Sequence, residues 1–231
     1  MADYVATGLA TGTWSGNGVI GTITVDASCN VCVVELGGYN FTSDTAAITL
    51  GIAAADESFQ SVSGGDGCSL HIFANPTTGI PLSITLAGLD TGDSGSWCAY
   101  GVSGANASSV DSSGFSQIYN QNGSGTPSTT FTVAVGDLCV DGAHCFDGTN
   151  ARSITEGADQ TEIYENWNTE DDTRDYASYE KATSTSVTMS CTISGTVDGN
   201  SYVAAVIPTP AVGGGANIKQ FMHHYKTMAA A

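Results

Sequence analysis

The stretch Cys68–Ala105, CSLHIFANPTTGIPLSITLAGLDTGDSGSWCAYGVSGA, decides the fold. Three runs rich in β-branched and aromatic residues, Ser69–Phe73, Pro81–Leu86 and Trp97–Val102, are separated by clusters of turn residues. In the middle run every second residue from Leu82 to Leu86 is apolar, which is the period of a strand with one buried face. Three strands in about 35 residues leave no room for crossover helices, so the stretch predicts antiparallel strands.

The rest of the chain repeats this kind of pattern without a detectable internal sequence repeat. Further strands are predicted near residues 11–14, 19–25, 32–36, 46–52, 58–62, 129–135, 137–146, 153–156, 160–164, 176–181, 186–193 and 202–207. The polar connection 108–128 is predicted to be an exposed loop. This many short strands predicts an all-β fold, a two-sheet antiparallel β-sandwich of jelly-roll type over residues 1–208.

Composition and charge narrow the range of partners. The chain has 231 residues, of which 41% are hydrophobic, enough for the core of one large β domain. The formal net charge is −18, and 13 carboxylates but neither lysine nor arginine precede Arg152. This distribution argues against nucleic acid as a partner. It favours a solvated acidic surface, with attraction to a basic partner or to cations as the alternative.

The first residues and the cysteines bear on where the protein is made. The chain begins Met-Ala-Asp-Tyr, and it contains no apolar run of the length needed for a signal peptide or a membrane span. We therefore expect synthesis in a host cytoplasm and no membrane partner. Most of the seven cysteines are predicted to be reduced packing residues, with one or two disulfides left open. Cys29 and Cys32 have the spacing of a zinc or redox pair, but no second pair follows, which favours strand packing.

Several motifs suggest chemistry without requiring it. Gly92–Ser96 looks like the nucleophile segment of chymotrypsin-like proteases, but His71 is the only histidine before it and lies too close in sequence. A metal cluster of His71, His144 and Cys145 is conceivable, although their spacing does not demand one. Glu35 is the one carboxylate expected to point inward from a strand, whereas glycoside hydrolysis needs two. We therefore predict no catalytic residues and no enzymatic activity.

Two acidic turn segments and two aromatic residues are weaker candidates for ligand binding. No cofactor is expected, but calcium prefers several carboxylate oxygens within one turn. The weak calcium candidates are Asp90, Asp93, Glu170, Asp171 and Asp172, and solvated loop carboxylates are the simpler interpretation. Tyr164 and Trp167 are possible sugar-binding residues, since an aromatic face can stack on a glycan.

Residues 209–231 form a separate segment with a different pattern. Gly213–Gly215 makes a flexible joint, and Asn217 with Gln220 three residues later has the spacing of a helix-capping box. An apolar stripe follows at helical spacing, formed by Ile218, Phe221, Met222, Tyr225 and Met228. A short helix is marginal in water unless it buries such a stripe. We expect it to dock on a neighbouring subunit or a larger assembly, with folding back on its own sandwich and disorder as the alternatives.

Four motifs along the chain point to a family. They are Gly12–Trp14, the turn Asn75–Gly79, the strand Gly136–Val140 and the closing strand Val203–Pro208. In this order they resemble a diffuse family of virion-associated proteins from tailed bacteriophages and environmental sequences, over residues 8–208. The resemblance implies a β-sandwich displayed on a phage particle, and it brings no catalytic residues with it.

These observations lead to a functional expectation. The protein is expected to be a non-enzymatic structural protein of a virion, either a capsid decoration protein or a tail-associated protein. Its expected partners are further copies of itself and capsid or tail proteins, joined through buried apolar surface. The alternative is a carbohydrate-binding module or adhesin on a particle or cell surface, with glycans as ligands.

Overall fold

The fold is all-β and antiparallel, as predicted. The computed structural model describes residues 1–39, 47–63, 66–88, 92–108, 115–121, 125–147, 152–168 and 172–210. Every pair of neighbouring strands in these ranges is antiparallel. No helix occurs in them, and hence none that is long and apolar enough to cross a bilayer.

The strands fall into two consecutive halves. The N half, residues 1–108, contains β1 (Asp3–Ser15), β2 (Gly18–Thr24), β3 (Cys29–Tyr39), β4 (Ala47–Leu50), β5 (Ala53–Ala54), β6 (Glu57–Ser63), β7 (Asp66–Ala74), β8 (Pro81–Ala87) and β9 (Ser94–Ser103). The C half, residues 115–210, contains β10 (Phe115–Gln121), β11 (Ser128–Thr132), β12 (Leu138–Phe146), β13 (Ile154–Glu156), β14 (Thr161–Asn168), β15 (Thr173–Lys181), β16 (Ser186–Ile193) and β17 (Gly199–Ile207).

Each half contributes two sheets. The inner N sheet has the order β1-β9-β3-β7-β6, and the outer N sheet has the order β2-β8-β4-β5. The inner C sheet has the order β10-β17-β12-β15-β14, and the outer C sheet has the order β11-β16-β13. The prediction of only two sheets was therefore wrong, because the described strands form four.

Three apolar cores show how the four sheets are stacked. The N core joins the outer and inner N sheets, with Val34 and Phe73 packed in the same cluster as Ile84. The C core joins the inner and outer C sheets through residues such as Tyr202 and Met189. The central core joins the two inner sheets; it contains Val33, Leu70 and Tyr100 from the N half and Val140, Val203 and Ile207 from the C half. The sheets consequently lie in the order outer N, inner N, inner C, outer C.

Burial patterns follow from this stacking. In the outer strands burial alternates along the chain, as in β16, where Val187, Met189, Cys191 and Ile193 are buried between more exposed residues. In the inner strands β3, β9, β12 and β17 nearly every residue is buried, because both faces of the strand are covered. The alternation predicted from Leu82 to Leu86 belongs to β8 of the outer N sheet, where Ile84 and Leu86 are buried.

The two halves have the same strand order. β1, β9, β3, β7 and β6 of the inner N sheet correspond in order to β10, β17, β12, β15 and β14 of the inner C sheet. In the outer sheets β2, β8 and β4 correspond to β11, β16 and β13, and β5 is an addition of the N half. The chain therefore contains a structural repeat, although its sequence shows none. That residues 1–208 act as one domain stays a prediction.

One loop prediction was wrong. The polar connection 108–128 contains β10, which pairs with β17 over its whole length, from Phe115 opposite Ala205 to Gln121 opposite Gly199. A strand rich in Ser, Asn and Gln carries little apolar signal, so its sequence resembles a loop. The backbone hydrogen bonds to β17 and its place at a sheet edge explain why it is nevertheless a strand.

Candidate functional site: a polar seam between the halves

Buried polar residues interrupt the central core. Glu35 on β3 lies two residues after the core residue Val33, and Cys98 on β9 lies two residues before Tyr100, so both face the inner C sheet. Ser96 of β9 lies on the same face as Cys98. Across the interface the inner C sheet contributes Gly142 and His144 of β12 and Asp175 of β15. We call this group, Glu35, Ser96, Cys98, Gly142, His144 and Asp175, the polar seam.

Asp175 connects the two halves by hydrogen bonds. Its Oδ1 lies 2.7 Å from Nδ1 of His144 in the same sheet. Its Oδ2 accepts a hydrogen bond from the Ser96 hydroxyl of the inner N sheet. His144 is fully buried and Asp175 is 3% exposed, so both bonds lie in a medium where polar interactions are strong and costly to lose.

Two glycines leave room for carboxyl groups from the opposite half. A Cβ atom added at Gly37 of β3 would overlap the carboxyl group of Asp175. A Cβ atom added at Gly142 of β12 would overlap the carboxyl group of Glu35. The arrangement is reciprocal, since one carboxyl group of each inner sheet occupies the space above a glycine of the other sheet. Glycine within a strand often marks such a close approach.

Glu35 is a buried carboxyl group with a raised pKa. Burial raises its pKa well above the ordinary value, and the negative charges of Asp141 and Asp175 raise it further. The Cys98 thiol, whose sulfur lies 3.9 Å from Oε2 of Glu35, donates to the carboxyl group and opposes this rise. The raised pKa favours the neutral form of Glu35 in the seam.

The buried cysteine thiols have low reactivity. All seven are free and buried, as predicted for packing residues. Burial raises the pKa of the Cys68 and Cys98 thiols well above the ordinary value, and it raises that of Cys145 to about 12. The thiolate is the reactive form of cysteine, so these side chains are poor nucleophiles and poor metal ligands at neutral pH. The Cys29–Cys32 pair is part of the N core, as strand packing required.

The seam lacks the geometry of a nucleophilic catalytic site. In a Ser-His-Asp triad the histidine stands between the serine and the aspartate, whereas here Asp175 stands between Ser96 and His144. The seam is also closed, because its side chains are between 0% and 5% exposed. Such an arrangement can align two sheets and share protons between buried groups, but it cannot admit a substrate.

A second polar cluster lies in the C core around Asp141. Its carboxylate accepts hydrogen bonds from Ser178 at 2.6 Å, Tyr202 at 2.9 Å and Gln160 at 3.0 Å. Gln160 in turn accepts from the backbone N–H of Ser190 on β16 at 2.8 Å, which ties the cluster to the outer C sheet. Burial raises the pKa of Asp141 to about 6, and the three donors oppose that rise.

The inward carboxylates were only partly predicted. Sequence reasoning identified Glu35 as the one strand carboxylate facing inward, but Asp141 and Asp175 are also buried on strands. Asp141 lies within the predicted strand 137–146, but its inward direction was not predicted. Asp175 directly precedes the predicted strand 176–181, and its bonds come from residues 31 and 79 positions away. Gly37 and Gly142, each within a strand, were the sequence signal that could have indicated the close approach.

The histidine–cysteine metal cluster is not formed. His71 lies in β7 with its ring between the hydroxyl groups of Ser58 and Ser69, each 3.0 Å away, on the N-core face. His144 faces the seam and Cys145 faces the C core, so the three side chains point into three different interfaces between sheets. Within the described ranges no group of three or more His, Cys, Asp or Glu side chains is arranged to hold a metal ion.

The calcium and protease candidates are mostly separated or buried. Asp93 is 2% exposed, and its backbone oxygen accepts a hydrogen bond from Gly16 at 2.8 Å. Asp172 lies in the turn before β15 with a left-handed φ of 52°. Asp90, Glu170 and Asp171 fall outside the described residues. Calcium binding therefore stays the weaker of the two interpretations, and solvated loop carboxylates stay the simpler one.

The two aromatic candidates for sugar binding lie on opposite faces of β14. Tyr164 packs against the central core. Trp167, three residues later, is opposite Arg174 in the strand pairing, and the guanidinium carbon lies 6.0 Å from the ring centroid. Both side chains are partly buried. They do not form one continuous aromatic surface. The apolar stripe from Ile218 to Met228 lies outside the described residues.

Comparison with known proteins adds no assignment. No family model matches the chain, and neither a curated protein nor a solved structure matches it.

Proposed function

We propose that the protein is a non-enzymatic structural component of a phage virion, a capsid decoration or tail-associated protein held by subunit interfaces, and that each half is a jelly roll. The observation that carries this proposal is the strand order that the two halves share. Jelly rolls are double-sheet folds of eight strands that recur in viral capsid proteins and in lectins.

The strand order supports a jelly roll when β5 and β6 are counted as one interrupted strand. Each half then has eight strands; the first, eighth, third and sixth lie together in the inner sheet, and the second, seventh and fourth lie in the outer sheet. The fifth strand passes from one sheet to the other in the N half. β5 pairs with β4, and after two residues β6 pairs with β7 at the inner edge. This is the order of a jelly roll with its fifth strand displaced.

The placement of the titratable groups supports a structural role. The seam side chains, His71 and Asp141 are all nearly or fully buried, and the hydrogen bonds of Asp175, His71 and Asp141 go to other parts of the fold. An enzyme needs such groups where a substrate can reach them. Here they align sheets, which suits a protein whose work is to remain rigid within an assembly.

The proposal is tested first by association. Sedimentation velocity of the full chain at micromolar concentration should give an oligomer, and immunogold electron microscopy of particles from the native source should label their surface. A monomer at every concentration together with unlabelled particles would contradict it.

A glycan array tests the carbohydrate-binding alternative. Binding that is lost in Trp167→Ala but retained in Val135→Ala, a change at an exposed side chain of the same half, would favour that alternative. The structural proposal predicts no glycan signal that depends on Trp167.

A further inference from the structure

An apolar groove opens on the outer N sheet. It has a volume of about 300 Å³ and is formed by the β4–β5 turn, the residue before β6, the end of β7 with the turn after it, and β8. Its lining includes Leu50, Ile52, Asp56, Phe73, Pro76 and Leu82. Leu50 and Phe73 are buried beneath it, so the floor of the groove is a part of the N core.

The rim of the groove carries a fully exposed isoleucine. Ile52 follows Gly51, whose φ of 62° turns the chain between β4 and β5, and the Ile52 side chain is 104% exposed. An isolated exposed apolar residue is ordinary, but one beside an apolar groove marks a surface suited to contact. The groove is large enough for one aromatic side chain and part of a neighbouring one.

Charge indicates the kind of partner. Neither lysine nor arginine occurs in residues 1–151, and Asp56 lies in the groove. Residues 217–228 have the complementary character: an apolar stripe that includes Phe221 and Met222, flanked by Lys219 and Lys226. These two lysines are among the five basic residues of the whole chain.

The described chain ends on the side of the molecule where the groove lies. The backbone oxygen of Pro208 accepts a hydrogen bond from Asn106 at 2.6 Å. The adjacent Ala105 is bonded to the side-chain amide of Asn30, and Asn30 accepts from the backbone N–H of Asn75, a lining residue of the groove, at 2.8 Å. A short series of hydrogen bonds thus joins the exit of the chain to the rim of the groove.

From these observations we propose that the groove binds the segment 217–228 of a neighbouring copy of this chain, with Phe221 as the anchor beside Ile52. This inference rests on the proposed function, for which it names the docking surface. A copy that receives one tail and donates its own makes a head-to-tail contact, which closes into a ring or extends along a lattice.

Reach favours a neighbour's tail over the chain's own. The chain leaves from β17 in the inner C sheet, and the groove lies on the outer N sheet, two layers away, or about 20 Å at about 10 Å per layer. The seven steps from Pro210 to Asn217 span at most about 25 Å. The chain's own tail would need a linker stretched to about four-fifths of its full length, beyond the end-to-end distance of about 15 Å that a flexible seven-residue linker favours. A tail from a neighbour has no such restriction.

Cysteine cross-linking between two full-length variants tests the inference. Ile52→Cys and Phe221→Cys chains are mixed and treated with a short bis-maleimide, and the linked peptides are identified by mass spectrometry. The native cysteines of the described residues are buried and do not compete. Val19→Cys replaces Ile52→Cys in the control, since Val19 is 67% exposed on the same outer sheet but does not line the groove.

The expected result is a 52–221 link between chains with a yield about tenfold above the 19–221 control. Ile52→Asp should also weaken association in sedimentation by about tenfold, whereas Val19→Asp should not. Yields equal to the control, in a chain that still oligomerises, would overturn the inference and leave the proposed function standing. A 52–221 link found only within one chain of the double variant Ile52→Cys/Phe221→Cys would overturn the inference alone. A monomer at every concentration together with unlabelled particles would overturn both.

Discussion

The N half and the C half have one strand order but different buried polar groups. The N core holds His71, whose two ring nitrogens each lie 3.0 Å from a serine hydroxyl. The C core holds Asp141 at the same depth, with three hydrogen-bond donors and a link to the outer sheet through Gln160. Backbone pairing and apolar faces therefore set the strand order. The residues that satisfy the buried polar groups differ from one core to the other.

The two halves also differ in how firmly each holds its carboxyl group in the seam, and this difference predicts the largest change in the free energy of unfolding. Asp175 fills the gap at Gly37 and is fixed by Ser96 and His144, whereas Glu35 fills the gap at Gly142 with a weak thiol contact. We expect Gly37→Ala to lower the free energy of unfolding by 3 kcal/mol or more, and Gly142→Ala by about 1–2 kcal/mol, because only Glu35 can move aside. Urea unfolding followed by circular dichroism measures both.

A double variant provides the control for the seam. Removing the Glu35 carboxyl group in Glu35→Ala should recover most of the loss caused by Gly142→Ala, since the added methyl group then has space. Equal losses at the two glycines, or no recovery in the double variant, would contradict the reciprocal fit.

Removing the buried polar side chain of each core compares how much each one contributes to stability. Asp141→Ala should cost about 3–5 kcal/mol, because Ser178, Tyr202 and Gln160 all lose their common acceptor in a buried place. His71→Ala should cost about 2 kcal/mol, because Ser58 is exposed at the sheet edge and can bind water instead. A larger loss for His71→Ala would reverse this ranking of the two cores.

The two centres should also respond to pH in opposite senses. Burial lowers the pKa of His71 from 6.5 to about 3, so its contribution is complete above about 6.5 and is lost as the pH falls toward 3. Burial raises the pKa of Asp141 from 3.8 to about 6, so its contribution is complete below about 3.8 and is lost as the pH rises through 6. Each pKa unit corresponds to about 1.4 kcal/mol.

Thermal unfolding from pH 3 to pH 8 separates the two groups. His71→Gln should remove part of the acid-side loss of stability, and Asp141→Asn should flatten the profile between pH 4 and pH 6. Glu35 acts in the same direction as Asp141, since its pKa is also raised. Identical pH profiles for the wild type and both variants would show that neither group titrates as its burial requires.

The smallest effect concerns how the halves unfold. Cys29, Cys32, Cys68 and Cys98 belong to the N half and Cys139, Cys145 and Cys191 to the C half, and all are 6% exposed or less. A thiol reagent should label fewer than one cysteine in the native protein. In rising urea both sets should become reactive in one transition, because the halves share the central core. Two separate transitions would mean that each half is stable alone.

The sequence predicted the outer strands better than the inner ones. Alternation around Ile84 and in Ser186–Ile193 directly reports one buried face, and both segments are strands. The inner strands gave no such period, and residues such as Ser69 and Asp141 disguised the fact that both faces are covered. The edge strand β10 was missed because its pairing with β17, some 80 residues away, leaves no local pattern.

The site was harder to predict than the fold for the same reason. Glu35 could be placed inside from its strand, but its neighbours Gly142 and Asp175 come from the other half of the chain. Hydrogen bonds such as that from Ser96 to Asp175 depend on how two sheets are stacked. Stacking is fixed by the summed fit of two faces, to which no short stretch of sequence corresponds.

Glu35 has a further consequence for synthesis. The N half leaves the ribosome first. Until the C half follows, the face of the inner N sheet that bears Val33, Leu70 and Tyr100 is exposed to water. In that interval Glu35 is hydrated and ionised, and its charge disfavours aggregation of the exposed apolar face with other nascent chains. When the C half covers this face, burial raises the pKa of Glu35 and favours its neutral form, so the charged side chain of the nascent chain becomes part of the interface.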